Sequence, residues 1–453
     1  MSRPEPVTAP VTGSTAQRLR TELARVQVEG RIPSVVAGVL RDGGLVWSDG
    51  YGDVPGDPRD TQYKIGSITK TMTAVLVLQL VAEGQLTLDD TVGSVLGGGG
   101  YAERTVGGLL AHSAGLQAEP NGPWWERSEN GGFDALAAAN DGSDAPFAPD
   151  RTFHYSNLAY GLLGEVVARL RGQSWWEAAR ERVLAPLGMR RTSYHAEGTH
   201  ADGWSVHPYA GTLVREPHPD TGAMAPAGQL WSTLTDLGTW TRFLLDGHPD
   251  VLDRRWLDDA FTPRSGALSS GLAYAHGLGF QMVPGGSGTL VGHTGSMPGF
   301  VATCFVDRAR RQGVVAFGNA TTGLPAGVLA ARLLDVLETC EPTVPPAWRP
   351  GAEVPAEIAE VLGVWHWGFP PHVFSAENAR DGVELVVRKA GVVVYRFAVR
   401  AGRLVGVSGH HHGEAIDVVR REDGSVSHLD VRSFVFTRTP YDPDVPVPGG
   451  HPR

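Results

Sequence analysis

A serine and a lysine three positions apart, Ser67 and Lys70, form the pair in this sequence best suited to nucleophilic catalysis. Lysine occurs at only two other positions, Lys64 and Lys389, and arginine supplies the remaining fixed positive charge. A serine hydroxyl is a poor nucleophile until a base removes its proton. A buried lysine can lose its own proton and act as that base, whereas an arginine cannot. Positions i and i+3 share one face of a helix, so the spacing predicts that Lys70 lies beside Ser67. The alternative is an ordinary helix start with Ser67 as its N-cap.

Tyr155 and Asn157 stand immediately before a helical run over residues 158–170. A phenol near a lysine ammonium is expected to ionise more easily and to relay a proton to a leaving group. The Asn157 amide can donate to a substrate carbonyl and accept from the lysine. The alternative is a plain helix start, with Ser156 or Asn157 as the N-cap.

A third polar segment, from His293 through Thr294 and Gly295 to Ser296, follows a strand-like run over residues 288–292. Glycine in an edge strand lets a substrate approach the backbone closely. Free backbone N–H groups there can pair with a peptide-like substrate or donate to an oxyanion. The alternative is a structural histidine in the strand.

Composition limits the classes of protein that fit. The chain has 453 residues, 42% of them hydrophobic and 19% charged, which predicts a globular protein of two or three domains. A net charge of -10 does not favour binding to nucleic acid, which needs a basic surface. Its two cysteines, Cys304 and Cys340, make neither a disulfide framework nor a metal-ligand pattern. We see no signal peptide and no apolar run that would span a membrane, so we expect a cytoplasmic protein without a metal or cofactor.

Hydrophobic periodicity predicts the elements that position these residues. Helices are expected over residues 15–28, 67–82 and 328–337, and strands over residues 34–40, 45–48, 300–306 and 314–317. Short strands over residues 383–387, 392–395, 404–407 and 434–436 predict a small all-β sandwich or barrel. The predicted organisation is a flexible N-terminus (1–13), a catalytic domain (14–340), a Pro-rich linker (341–355), a β domain (356–440) and a tail (441–453).

Three consecutive histidines occupy residues 410–412, and histidine is a common metal ligand. Adjacent side chains in a strand or turn cannot all face one ion, so a solvated loop is the prediction there.

Together and in this order, Ser67-x-x-Lys70, Tyr155-Ser-Asn157 and His293-Thr-Gly resemble the motifs of the penicillin-recognising serine enzymes. These are the serine β-lactamases, the penicillin-binding DD-peptidases, and related esterases, D-aminopeptidases and penicillin-binding-protein-type thioesterases. The resemblance covers residues 20–340 and includes two further segments, 109–116 and 227–233.

The resemblance implies an α+β fold: a β-lactamase/transpeptidase-like antiparallel sheet flanked by helices, with an all-helical subdomain. The C-terminal domain would be a small lipocalin-like barrel. Ser67 would be the nucleophile, Lys70 the base or proton-relay partner, and Tyr155 the group that exchanges protons with the serine and the leaving group. Asn157 would hold the substrate amide. The oxyanion hole would be the backbone N–H groups of Ser67 and Ser296.

At His293 the sequence departs from the lysine that many members of this superfamily have. Without a fixed cation there, carboxylate recognition should be weaker at neutral pH, which argues against a dedicated β-lactamase. An ordinary histidine pKa would also place a limb near pH 6.5 in the pH–rate profile. Arg438 could supply the missing cation, or it is simply an exposed residue at a strand end. Other candidate substrate-binding residues are Thr294, Gly295 and Trp231.

Three functions are compatible with these features. The first is a serine hydrolase that cleaves amides or esters of small peptide-like substrates, including those with D-residues. The second is a penicillin-binding-protein-type thioesterase that offloads and macrocyclises a nonribosomal peptide bound to a carrier protein. The third is a non-catalytic binding protein on the same fold. Neither a nucleic acid partner nor a membrane span is expected.

Overall fold

The computed structural model describes residues 9–267, 271, 273–286, 288–344, 347, 353–379, 382–446 and 450. Internal contacts divide the chain between Thr343 and Val344 into an N-terminal and a C-terminal unit. The predicted flexible N-terminus, Pro-rich linker and tail lie partly outside the described residues. Within the described part, no helix is long and apolar enough to cross a membrane.

The N-terminal unit is built on an antiparallel sheet of seven strands. The strands of this unit are β1 (Ser34–Arg41), β2 (Gly44–Gly52), β3 (Tyr63–Lys64), β4 (Trp204–Val206), β5 (Leu213–Arg215), β6 (Trp231–Ser232), β7 (Ala275–His276), β8 (Gln281–Gly285), β9 (Gly288–Met297), β10 (Phe300–Asp307) and β11 (Gln312–Gly318). The large sheet has the order β2-β1-β11-β10-β9-β8-β7, while β3 pairs with β6 and β4 with β5. The predicted hairpin of β10 and β11 therefore does continue the sheet that begins at β1.

Helices cover both faces of this sheet. They are α1 (Gly13–Gly30), α2 (Thr69–Ala82), α3 (Val92–Leu96), α4 (Val106–Leu110), α5 (Phe133–Ala139), α6 (Asn157–Arg171), α7 (Trp175–Ala179), α8 (Ala185–Leu187), α9 (Ala225–Gly228), α10 (Leu234–Asp246), α11 (Arg254–Ala260) and α12 (Ala326–Cys340). Successive side chains of a strand point to opposite faces. Accordingly, Val35 and Val39 pack in one core with α1 and α12, while Val36 packs in the larger core with α2, α6 and α10.

The C-terminal unit is a closed barrel of eight antiparallel strands in sequence order. Its elements are α13 (Ala356–Ala359), β12 (Gly363–His366), β13 (Pro371–Ala379), β14 (Gly382–Lys389), β15 (Val392–Arg400), β16 (Arg403–Gly409), β17 (Ala415–Arg420), β18 (Val426–Val431) and β19 (Phe434–Thr437). Alternating apolar side chains, among them Trp365, Leu385 and Phe436, fill its interior. The predicted α+β fold and the small all-β C-terminal domain are thus confirmed.

The three consecutive histidines form part of the turn between β16 and β17. His411 is buried, and its Nδ1 lies 2.7 Å from Glu414 Oε2, so the prediction of a wholly solvated loop is wrong for this residue. The ring packs against Tyr395 and Phe434, which gives it a place in the barrel wall. Among the residues that the structure describes, no cluster of His, Cys, Asp or Glu is arranged to hold a metal ion.

Candidate active site

The serine lies in a single turn of 3-10 helix, Gly66–Ile68, directly before α2. The helix begins at Thr69, two residues later than the sequence predicts, and its N-cap residue is Ile68. Ser67 therefore does not cap the helix, and the alternative of an ordinary capping serine does not hold. Its side chain is half-buried, which leaves the hydroxyl free for another use.

Lys70 is fully buried because α2 is apolar nearly all round and is enclosed by the larger core. Its Nζ lies 2.9 Å from Ser67 Oγ and 2.7 Å from the carbonyl oxygen of Ala227. Burial lowers the lysine pKa to about 7, and the negative charges of Glu119 and Glu126 oppose the shift. A neutral amine at this position donates to the Ala227 carbonyl and keeps its lone pair for the Ser67 proton. The structure thus brings together the nucleophile and base that the spacing predicts.

Tyr155 lies two residues before the start of α6 and close to the serine. Its side chain is close enough to that of Ser67 for the two to interact, and Lys70 Nζ lies 5.1 Å from the centre of its ring. Burial raises the phenol pKa well above its ordinary value of 10. The expectation that Tyr155 ionises more easily is therefore wrong, because the desolvation of the phenolate outweighs the nearby amine. A protonated Tyr155 can donate to a leaving group, while the role of base falls to Lys70.

Two glycines let the predicted oxyanion donors come together. Gly66 has a φ of +52°, and a Cβ on it would lie 2.5 Å from the backbone nitrogen of Ser296. A Cβ on Gly295 would overlap the carbonyl oxygen of Ile65 and lie 3.3 Å from the nitrogen of Ser67. The turn that carries the serine thus crosses β9 at a distance that only glycines permit. This crossing brings the backbone nitrogens of Ser67 and Ser296 close to each other.

Asn157 is the first residue of α6, and Ser156 before it is the N-cap, as one of the alternatives predicted. The Asn157 side chain is buried, and its Nδ2 donates to Glu119 Oε1 over 2.7 Å. Its Oδ1 has no hydrogen-bond partner among the described residues, including Lys70. The amide is thus oriented by a carboxylate, and its second N–H remains available to a substrate carbonyl.

His293 lies on β9 beyond the last residue that pairs with β8, which is Gly292. The side chain is buried and its Nδ1 donates to the carbonyl oxygen of Thr294. Burial lowers the pKa of His293 well below 6.5, and the positive charges of protonated His276 and Lys70 would lower it further. The expected limb near pH 6.5 from His293 is therefore wrong, because a buried imidazole between other bases stays neutral there.

Thr294 is held by a residue that the sequence analysis missed. Both its backbone N–H and its hydroxyl donate to Gln281 Oε1, at 3.0 and 3.2 Å. Gln281 is the first residue of β8 and carried no motif signal. Glu119, which orients Asn157, was missed for the same reason, although it lies three residues after the 109–116 segment of the family resemblance.

Trp231 and Arg438 differ from the other candidates. Trp231 is only 1% exposed and its ring packs edge to face against Phe300, so we interpret it as a packing residue and not a substrate contact. The Arg438 guanidinium lies 3.7 Å from the centre of the Trp365 ring and donates to the carbonyl oxygens of Leu362 and Val364. These contacts assign Arg438 a structural place in the barrel, and its role towards a substrate stays a prediction.

Comparison with known proteins identifies the family. A profile named Beta-lactamase matches residues 16–338, well over half of the chain. The chain belongs to the Beta-lactamase family. This membership confirms the resemblance to the penicillin-recognising serine enzymes. The barrel, over residues 354–438, matches a domain of unknown function, DUF7586.

Similar proteins include the penicillin-binding protein 4 of Amycolatopsis lactamdurans, 30% identical over 238 residues, which are 49% of this chain and 58% of that protein. The matches span 52% and 58% of the lengths of the first two curated relatives. A D-stereospecific amidohydrolase structure from Streptomyces sp. is 25% identical, covers 72% of this chain and 98% of its own, and has a TM-score of 0.60. An octameric penicillin-binding protein homologue from Pyrococcus abyssi is 21% identical, covers 93% and 99%, and shares the fold with a TM-score of 0.64.

Proposed function

We propose that this member of the Beta-lactamase family is a serine hydrolase that cleaves amides or esters of small peptide-like substrates through an acyl-enzyme on Ser67. The observation that carries the proposal is the buried Lys70 amine, 2.9 Å from the Ser67 hydroxyl and with a pKa of about 7. An amine with this pKa accepts the serine proton at neutral pH without a metal or cofactor.

In the acylation step, Ser67 Oγ attacks the substrate carbonyl carbon while its proton passes to Lys70. The Ser67 and Ser296 N–H groups hold the oxyanion that forms. The bond to the leaving group then breaks, the leaving group takes the Tyr155 hydroxyl proton, and the Lys70 ammonium returns a proton to Tyr155. Water attacks the resulting ester and gives a proton to Lys70, and Ser67 leaves with that proton restored.

Electrostatics around the serine favour substrates that carry no carboxylate near residue 293. Many other members have a lysine at this position, which would attract a carboxylate. His293 there is neutral, and Glu119 and Glu126 both lie near enough to Lys70 to raise its pKa. Substrates that are neutral amides or esters, including those with an amine substituent, avoid repulsion from these carboxylates. The similarity to a D-stereospecific amidohydrolase supports amide substrates with a D-residue. A carboxylate-bearing β-lactam should therefore acylate Ser67 more slowly than a neutral activated ester of similar size.

The test is intact-mass measurement after exposure to a neutral activated ester, followed by turnover of D- and L-amino-acid amides. We expect one adduct per chain, located on Ser67 and lost in Ser67→Ala. Faster turnover of D-amides than of L-amides would support the substrate class. An adduct that persists in the folded Ser67→Ala variant would refute the assignment of the nucleophile.

The same experiment separates the two other functions. If added amines take the acyl group faster than water does, then the enzyme is an acyltransferase, and a macrocyclising thioesterase acting on a carrier-bound peptide becomes the better description. If a folded protein forms no adduct with any activated ester, then the chain is a binding protein.

A further inference from the structure

His112 hydrogen-bonds to the backbone on both sides of Tyr155. It follows α4 with a φ of +55° and is 1% exposed. Its carbonyl oxygen accepts from the backbone N–H of His154 at 2.8 Å, and its Nδ1 accepts from the backbone N–H of Ser156 at 3.1 Å. These two residues flank Tyr155, so a single residue fixes the backbone before and after the phenol.

The His112 ring also contacts the phenol directly. The two ring centres lie 4.2 Å apart with 30° between the planes. Tyr155 also interacts with the Ser67 side chain, and the Lys70 amine lies 5.1 Å from the centre of its ring. The position of the Tyr155 hydroxyl relative to the nucleophile therefore depends on the face that His112 presents.

The hydrogen bond from Ser156 sets the protonation state of the ring. An Nδ1 that accepts a hydrogen bond carries a lone pair, so the imidazole is neutral with its proton on Nε2. An imidazolium would direct Nδ1–H at the Ser156 N–H and break the bond. His276 and His293 are the opposite tautomer, because each donates from Nδ1 to a carbonyl oxygen.

The surroundings keep His112 neutral. Its pKa is lowered well below 6.5 by burial and by the positive charge that its neighbours can carry. The titratable side chains around the ring are those of His276, Lys70, His293, His154, Tyr155 and Tyr160. Among the described residues, none of these side chains is a carboxylate that would stabilise an imidazolium.

We propose that His112 is a positioning residue that fixes the Tyr155 hydroxyl against Ser67, through the Ser156 amide and through ring contact, and that it acts as a neutral imidazole. The inference rests on the proposed function, since it assigns a role in the acylation of Ser67. This positioning role explains why a histidine occupies a buried position with a left-handed backbone conformation.

Three substitutions separate the contributions of His112. His112→Gly removes the side chain and suits the φ of +55°. His112→Asn places an acceptor oxygen where Nδ1 lies and also tolerates this backbone conformation. His112→Gln is the matched amide whose polar atoms lie one bond further out, so it cannot replace Nδ1.

The rate of Ser67 acylation by an activated ester should fall about a hundredfold in His112→Gly and His112→Gln, as for a misplacement of about 1 Å. His112→Asn should recover at least about a tenth of the original rate, because the Ser156 bond is kept. Thermal unfolding of each variant checks that it is folded. If Gln does not fold at this φ, then the comparison of Gly with Asn decides.

A double-mutant cycle tests whether His112 acts through Tyr155. In a Tyr155→Phe background, His112→Gly should slow acylation by less than about threefold, because the hydroxyl to be positioned is gone. A full hundredfold loss in that background, or a His112→Asn variant as slow as His112→Gly, would overturn the proposal. If the adduct is not on Ser67 at all, as the Ser67→Ala control reveals, then the proposed function has failed instead.

Discussion

Lys70→Arg tests the central claim, that Lys70 acts as a base and not as a fixed cation. Arginine keeps a positive charge near Ser67 but does not lose its proton in proteins. We expect the substitution to slow the acylation of Ser67 far more than a change of shape would. The expected reason is the loss of the neutral amine that takes the serine proton.

The magnitude follows from the pKa. With a pKa of about 7, roughly nine tenths of Lys70 is neutral at pH 8. An arginine keeps its proton in proteins, so its neutral fraction at that pH would be smaller by at least about a thousandfold. Residual catalysis by the oxyanion hole limits the measurable loss. We therefore expect a reduction of at least about a thousandfold, or about 4 kcal/mol of transition-state stabilisation.

The assay is the rate of acyl-enzyme formation by a neutral activated ester, followed by mass from pH 5 to 9. In the wild-type protein the rate should rise about tenfold per pH unit below pH 7 and level off above it, because the deprotonated amine is the active form. Lys389→Arg, at an exposed position in the barrel, is the control for the substitution. Lys64→Arg is the control for a buried lysine with a lowered pKa that is not hydrogen-bonded to the serine among the described contacts.

A Lys70→Arg variant that acylates within about tenfold of the wild-type rate would refute the reasoning, since a fixed cation would then suffice. A wild-type rate that does not change between pH 5 and 7 would contradict the pKa. Both measurements require that circular dichroism and thermal unfolding show the variant to be folded.

Further substitutions test other parts of the site and of the barrel. Gly295→Ala should cut the acylation rate at least about a hundredfold, because the new Cβ would overlap the Ile65 carbonyl oxygen and displace an oxyanion donor; an unimpaired variant would place the oxyanion hole elsewhere. His293→Gln should leave the acid limb of the pH–rate profile within half a unit, because the native histidine is already neutral there and the neutral amide adds no charge beside Lys70; loss of the limb would restore His293 as the titrating group. Arg438→Ala should lower the barrel's free energy of unfolding by about 1 kcal/mol through the lost contact with Trp365, and unchanged chemical denaturation would argue against this structural place.

Local rules predicted much of the fold. The strand over residues 34–40 is observed as Ser34–Arg41, and the helix over residues 15–28 as Gly13–Gly30. Hydrophobic periodicity depends on residues that are close in sequence, so it predicts helices and strands without knowledge of distant contacts. The strand signals after residue 380 led to the small β domain for the same reason, although they left a sandwich and a barrel equally open.

Closure of the barrel depended on long-range pairing. The β12 strand pairs with β19 through His366 and Thr437, which are far apart in the sequence. No local pattern specifies that the first and last strands meet. The sequence likewise did not show whether Trp231 is buried or contacts the substrate. Trp231 is buried because Phe300 and other side chains distant in the sequence pack around it.

The sequence by itself determined which residues could do chemistry. The spacing of Ser67 and Lys70 on a helix start, and the glycine at residue 295, are properties of a few adjacent residues. Tertiary structure alone decided their protonation states. Desolvation by distant elements lowers the pKa of Lys70 to about 7, raises that of Tyr155 and keeps His293 neutral. The free energy of a buried charge depends on everything packed around it, which is why the candidate base emerged from the sequence but its pKa only from the fold.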